Sequence, residues 1–303
     1  MIEIAKGLLF PEGPIAMPDG IVLVVEIARV TLSKVVPDGS IQVVGECGGG
    51  PNGAAFGPDG RVYVCNNGGF DTEIREGQVR IIEGMSTYVG GSIQAVDLQT
   101  GAVETLYTEV EGERLKGPID LVFDREGGMW FTDHGKTYER QIDRGGLYYA
   151  KPDGSDIKEG VFPLEGPNGV GLSPDEGIVY VAETHVGRLR SWDLAEPGKI
   201  AGSFGKTTRG KCVAGLPGDQ LLDSLAVDDE GYVCVATIRN GGITEFNPHG
   251  GQTRHFPTGD PLTTNICFGG RNMTTAFITC SRSGTLLKTD WHRAGLKLNF
   301  NPY

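Results

Sequence analysis

A turn signal recurs six times along this chain, each time directly ahead of a short apolar run: Pro18-Asp19-Gly20, Pro58-Asp59-Gly60, Asp124 to Gly127, Pro174 to Gly177, Asp228 to Gly231 and Gly269 to Asn272. The runs that follow, such as Arg61 to Cys65, Gly177 to Ala182 and Gly231 to Ala236, are rich in Val, Ile and Tyr and are bounded by Gly, Pro and Asp. Those are strand and turn signatures, and no stretch sustains a period of 3.6 residues. In the tightest cases the repeat is about 40 residues, the length of four strands in a propeller blade. A second turn set at Pro37 to Gly39, Asp97 to Gly101, Pro152 to Gly154, Asp193 to Gly198 and Asn247 to Gly250 marks the outer hairpins of the first five units. The expectation is an all-β chain in which residues 1–303 form a single six-bladed β-propeller, with four antiparallel strands per blade.

In the first blade the strands run over Glu12 to Met17, Ile21 to Ile27, Val30 to Val36 and Ile41 to Gly45, the first of them lining the channel. The outermost strand of blade six falls either to the Leu296 region or to Ile2 to Leu9. The N-terminal choice is preferred, because a ring that pairs its own ends leaves no exposed edge. Two long inserts, Gly68 to Gly91 and His134 to Gly145, lie between second and third strands. They emerge on the face where the first strands begin, placed to wall any site there.

Composition narrows the functions such a ring can have. Of 303 residues, 48 are glycine, more than twice the roughly 21 that average usage gives, as many tight turns require. A formal net charge of -12 repels phosphate backbones and anionic lipid, so nucleic acid and membrane surfaces are not expected partners. A small neutral ligand or a cation fits better. The apolar runs are too short to span a bilayer, and Met1 to Phe10 lacks the pattern of a signal peptide, which points to the cytoplasm. Of the six cysteines, Cys65, Cys234 and Cys280 sit inside apolar strands and none stands in a CxxC pair, so buried free thiols are expected rather than disulfides or a zinc site.

At a near-constant offset ahead of each inner turn stands one member of a phased set: Glu12, Asn52, Ile119, Asn168, Asp223 and Asn265. Ring closure brings these six positions to one end of the channel. Five are carboxylates or amides, the hard oxygen donors that suit calcium or magnesium and that also admit manganese, iron or zinc. Solvated channel positions and ordinary turn chemistry would also use Asn and Asp, but turn formers belong in the hairpin, not at a fixed distance before it. A second phased set, Glu26, Asn66, Asp133, Glu183, Thr237 and Ser281, closes the second strands on the same face. It either orients the first set or forms plain polar strand ends.

These residues resemble the senescence-marker-protein/gluconolactonase family. The likeness rests on Glu12-Gly13-Pro14, Trp130-Phe131-Thr132-Asp133, Pro167-Asn168-Gly169-Val170 with Ser173-Pro174-Asp175, and Asp223 with Ala226-Val227-Asp228. The resemblance covers essentially the whole chain. It implies a six-bladed propeller in which Glu12, Asn168 and Asp223 bind one divalent metal ion, calcium first, and Asp223 also acts as the base that hydrolyses a lactone or related ester. Asn52, Ile119, Asp120, Asn265, Asn66, His134 and His185 are then the candidate substrate contacts. The chain departs from the family pattern at Pro118-Ile119-Asp120, where an amide would be usual in place of Ile119, and at Gly117, where sugar-lactone members carry Arg. Both changes favour a less polar lactone or ester.

Other motifs carry less. Gly48 to Gly53 satisfies GxGxxG but precedes a strand, and Trp192-Asp193 occurs in one blade only. There is no GxSxG and no HExxH. Tyr88, Lys136 and Tyr138 in the inserts are placed either to cover substrate or to anchor their loops. The rival readings are a non-catalytic propeller that binds calcium or a small ligand, and a propeller enzyme of different chemistry resembling strictosidine synthase. Nothing in the sequence specifies an oligomeric state.

Overall fold

The computed structural model describes all residues except 77, 83, 203–209 and 251–252. Among the described residues there is no helix, and so none long and apolar enough to cross a membrane. Six antiparallel sheets form six blades. The innermost strands are Pro11–Ala16, Pro51–Phe56, Pro118–Phe123, Pro167–Leu172, Leu221–Val227 and Thr263–Gly269, and each packs against the next in a closed cycle, the last against the first.

Burial explains why the strands read as continuous apolar runs. Second strands such as Val22–Glu26, Val62–Asn66 and Met129–Asp133 are buried along their whole length, since each blade is covered on both faces by its neighbours. The core is correspondingly divided into six clusters, one at each junction between blades. Trp130, Tyr149, Val161, Val181 and Trp192, for instance, join blades three and four. A seventh, smaller cluster of Phe10, Ile27 and Val79, with Phe70 and Leu262 against it, seats the first insert on the ring.

Blade six completes itself with the N-terminal strand: Ile2–Lys6 pairs antiparallel with Thr285–Asp290. The Leu296 region goes elsewhere. The chain after Trp291 crosses the face opposite the inserts, pairing at Gly295 with Asp228 and hydrogen-bonding from Asn299 Nδ2 to the Phe123 carbonyl and Glu176. It ends with the Tyr303 hydroxyl donating to the Met17 carbonyl at 2.7 Å. Leu296, Leu298, Asn299 and Asn301 thereby floor a narrow apolar lumen of about 80 Å³ inside the ring.

Three features lay outside the sequence expectations. The first insert carries its own hairpin, Thr72–Arg75 with Gln78–Ile81. A two-residue hairpin, Glu109–Val110 with Glu113–Arg114, precedes blade three. In blade four the third strand, Arg188–Glu196, runs on past the sheet to pair with Lys199–Ile200, and the fourth strand is Lys211–Gly215. All six cysteines are free; Cys212 is exposed and Cys267 partly so.

Candidate active site

In every blade the register between first and second strands slips at the phased position: between Glu12 and Ile15, Pro51 and Ala54, Pro118 and Leu121, Pro167 and Val170, Leu222 and Leu225, and Thr263 and Asn265. A bulge bends the strand and re-aims the side chain it carries. Here the six bulges lie around the channel mouth. Glycine follows three of the phased residues, and for a steric reason. A Cβ on Gly13 would stand 2.7 Å from the Asn52 carbonyl oxygen, one on Gly53 2.5 Å from that of Ile119, and one on Gly169 2.6 Å from the Leu225 nitrogen. Only glycine lets neighbouring bulges close this tightly.

Glu12, Asn52, Ile119, Asn168 and Asp223 line one cavity of about 470 Å³ at the channel mouth, walled by both inserts. Asn168 Nδ2 donates to Asp223 Oδ1 at 2.5 Å, and the Ser224 hydroxyl lies 3.3 Å from Asn168 Oδ1. The Thr132 hydroxyl holds the Asn168 carbonyl oxygen. Asn265 sits one layer down, facing the lumen. Its Nδ2 donates to Glu12 Oε2 at 2.9 Å, so it positions Glu12 without lining the cavity. Asp120 also faces the lumen, accepting from the Leu121 and Val170 nitrogens.

The ring is overloaded with negative charge. Burial pushes the Asp223 carboxyl up to about 8 and Asp120 up to about 7, and Asp120 adds to the rise at Asp223. Glu12 lies well above the usual carboxylate range through burial and the Asp223 charge. None of the three has an ion-pair partner among the described residues, and Asn52 Oδ1 is buried without any hydrogen-bond partner. An all-oxygen donor set with surplus carboxylate and an orphaned amide oxygen fits a hard divalent cation.

The second phased set is buried too, and its work is on the backbone. Glu26 accepts from the Leu9 nitrogen. Asn66 accepts from Gly50 and Gly68, and Asp133 from Lys116, Gly117 and Gly135. Glu183 accepts from Glu165, and Ser281 donates to the Pro11 carbonyl. These side chains pin the loops that lead into the inner strands, and Asn66 does not line the cavity. His134 does, while His185 is exposed and packs on it with ring centroids 4.9 Å apart. Burial and the neighbouring His185 push His134 down to about 3, so the ring is neutral; Nδ1 faces the Pro167 carbonyl at 3.3 Å, which leaves Nε2 as an acceptor.

Sequence reasoning missed Asn67, Thr184 and the apolar wall of Phe10, Ile27, Phe70, Met85, Ile238 and Leu262, all of which line the cavity. Asn67 follows the phased Asn66 directly, and no spacing rule separates the two. A second acidic group, Asp228, Cys234 and Glu245, lies at the opposite end, with ligand atoms within 4.8 Å of one another. Arg293 forms ion pairs with both carboxylates, and His292 bonds Glu245 at 2.9 Å. A protein cation already fills that position.

The model of the SMP-30/gluconolactonase/LRE-like region matches residues 10–282, from the strand that carries Glu12 to just past the second strand of blade six. The chain belongs to this family. Among its curated relatives is lactonase drp35 of Staphylococcus saprophyticus, 29% identical over 255 residues that cover 82% of this chain and 70% of that protein. Another is the gluconolactonase of Zymomonas mobilis, 26% identical over 94% of this chain and 80% of its own length. Among solved structures, regucalcin of Agrobacterium tumefaciens, a calcium-binding protein, superposes with a TM-score of 0.73 at 18% identity, covering 99% of this chain and 95% of that one. At that identity the likeness speaks for the propeller alone.

Proposed function

We propose that this family member is a metal-dependent hydrolase that opens a lactone or related ester at the channel mouth, with Asp223 as general base. The carrying observation is the buried ring of oxygen donors, rich in carboxylate and without an ion-pair partner among the described residues, that opens into a cavity with apolar walls. Relatives named lactonase and gluconolactonase favour the same reaction.

Glu12, Asn168 and Asp223 would hold one divalent ion, calcium before magnesium, manganese, iron or zinc. Such an ion polarises an ester carbonyl and makes a nearby water more acidic. The chain supplies the rest. Asn265 and the Gly13 nitrogen hold Glu12 in place. Thr132 and Ser224 fix the main chain and the amide of Asn168. Asp223 accepts a proton from the attacking water as its oxygen bonds to the carbonyl carbon. The ring C–O bond then breaks, and the proton passes to the departing oxygen, giving a hydroxy acid. Asn52 Oδ1 is available to a substrate hydroxyl, whereas Ile119, Phe70, Met85 and Leu262 favour carbon. Free thiols are consistent with work in the cytoplasm.

The test is elemental analysis of purified protein, followed by a panel of lactones and aryl esters assayed with a pH indicator before and after chelation. Turnover should vanish on chelation and return with one ion. Asp223→Ala should lower kcat by at least about 100-fold with an unchanged circular dichroism spectrum, and Asn52→Ala by less. Bound metal without turnover of any ester would instead make the chain a binding propeller.

A further inference from the structure

The cavity contains a cation that the proposed hydrolysis does not use. Lys136, in the second insert, is only 7% exposed and lines the cavity wall. Its ammonium donates to the Gly69 carbonyl oxygen at 3.0 Å and reaches Asn67 Oδ1 at 3.5 Å. It lies 4.8 Å from the centre of the Tyr88 ring. These partners are held in turn: Asn67 Oδ1 accepts from the Gly69 nitrogen at 2.8 Å, and the Tyr88 hydroxyl donates to the Lys116 carbonyl at 2.9 Å. All three are neutral, and Lys136 has no ion-pair partner among the described residues. The nearby carboxylate of Asp133 is occupied by three backbone N–H groups.

A lysine that serves packing alone is normally paired or reaches solvent, because burying an unpaired ammonium is unfavourable. Here the first insert and Asn67 before it build a fixed cradle around the lysine that the second insert carries, at the wall of the proposed reaction cavity. Resting on the hydrolase reading above, we infer that Lys136 receives an anionic group of the substrate, and that the preferred substrates are lactones carrying a carboxylate on the ring or a short substituent. The metal ring then takes the ester end and Lys136 the other, with the carbon skeleton against Phe70 and Met85. Burial pushes Lys136 down to about 8, partly opposed by Asp133 and Asp143, so it remains mostly charged at neutral pH. The net charge of -12 opposes anions at long range, so the selectivity is local to the cavity.

The experiment compares kcat/KM of the metal-loaded protein for γ-carboxy-γ-butyrolactone and for its primary amide. The wild type should prefer the acid by about tenfold or more, Lys136→Met should lose that preference mainly through KM, and Lys136→Arg should keep part of it. Equal losses on both substrates in Lys136→Met, or a wild type that prefers the amide, would overturn the inference. If neither compound nor any simple lactone or aryl ester is hydrolysed, the hydrolase reading is what fails. Calorimetry with tetrahydrofuran-2-carboxylate and its amide then decides the point separately: tighter binding of the carboxylate that Lys136→Met removes supports the anion site, and equal binding or none rejects it.

Discussion

Glu12, Asp120 and Asp223 are buried near one another with no ion-pair partner among the described residues, and this has a consequence for stability. Their carboxyls titrate higher in the folded protein than in an unfolded chain, Asp223 at about 8 and Asp120 at about 7. The metal-free fold therefore holds protons that the unfolded chain has released, and its stability falls as pH rises from about 4 to about 8. A cation held there, as proposed, would remove that penalty and displace the protons. Chelated protein should melt lower at about pH 8 than at about pH 5, and added calcium should raise Tm more at the higher pH; a calcium effect independent of pH would place the ion elsewhere. Ile119 is the other informative residue. Ile119→Asn restores the amide usual in the family and should shift the kcat/KM ratio toward polyhydroxylated lactones by about tenfold, as the panel assay would read. The ring was legible in the sequence because a blade repeat turns phase into position. Asn67 was not, and Lys136 could be read only as covering substrate or anchoring its loop, since the placement of both depends on how two irregular inserts fold over the mouth.

The bulged first strand is the element on which the site is built. Six successive bulges bring five of the phased side chains to one cavity and the sixth, Asn265, one layer below it, and where the sequence spends a glycine after the phased residue, the neighbouring strand occupies the space a Cβ would need. In blades three and five Asp120 and Ser224 stand there instead, and both bridge to the Asn168 strand. Gly169→Ala should cost about 1–3 kcal/mol in urea unfolding and lower metal affinity, because the Asp223 strand has to move away from Asn168. An unchanged affinity would mean the two strands hold their positions independently. Strand order and hairpins could be read from turn residues, and most spans agree within a residue or two. Bulges leave no comparable mark beyond the glycines, because the extra residue looks the same whether it is paired or not. The backbone work of Asn66 and Asp133 was hidden for the same reason, since their partners are loop nitrogens that no side-chain pattern reveals.

For the whole molecule, closure comes from the two termini. The N-terminal strand completes blade six, as the preference for a ring without an edge anticipated. The Leu296 region, the other candidate for that strand, instead crosses the opposite face, a course the sequence does not mark because its fastening is a few tertiary contacts and not a repeat. Arg293 pairs with the buried Asp228 and Glu245 and stacks 3.8 Å from the centre of the Tyr232 ring. Arg293→Ala strands two carboxylates and should cost about 3–5 kcal/mol by urea denaturation; a loss under about 1 kcal/mol would show the segment to be dispensable. That segment also floors the lumen on the face away from the inserts. On the proposed reading, the lactone would enter and the hydroxy acid would leave through the mouth cavity that both inserts wall. Product and substrate would then occupy the same pocket in turn, and accumulating product should slow turnover as a competitive inhibitor.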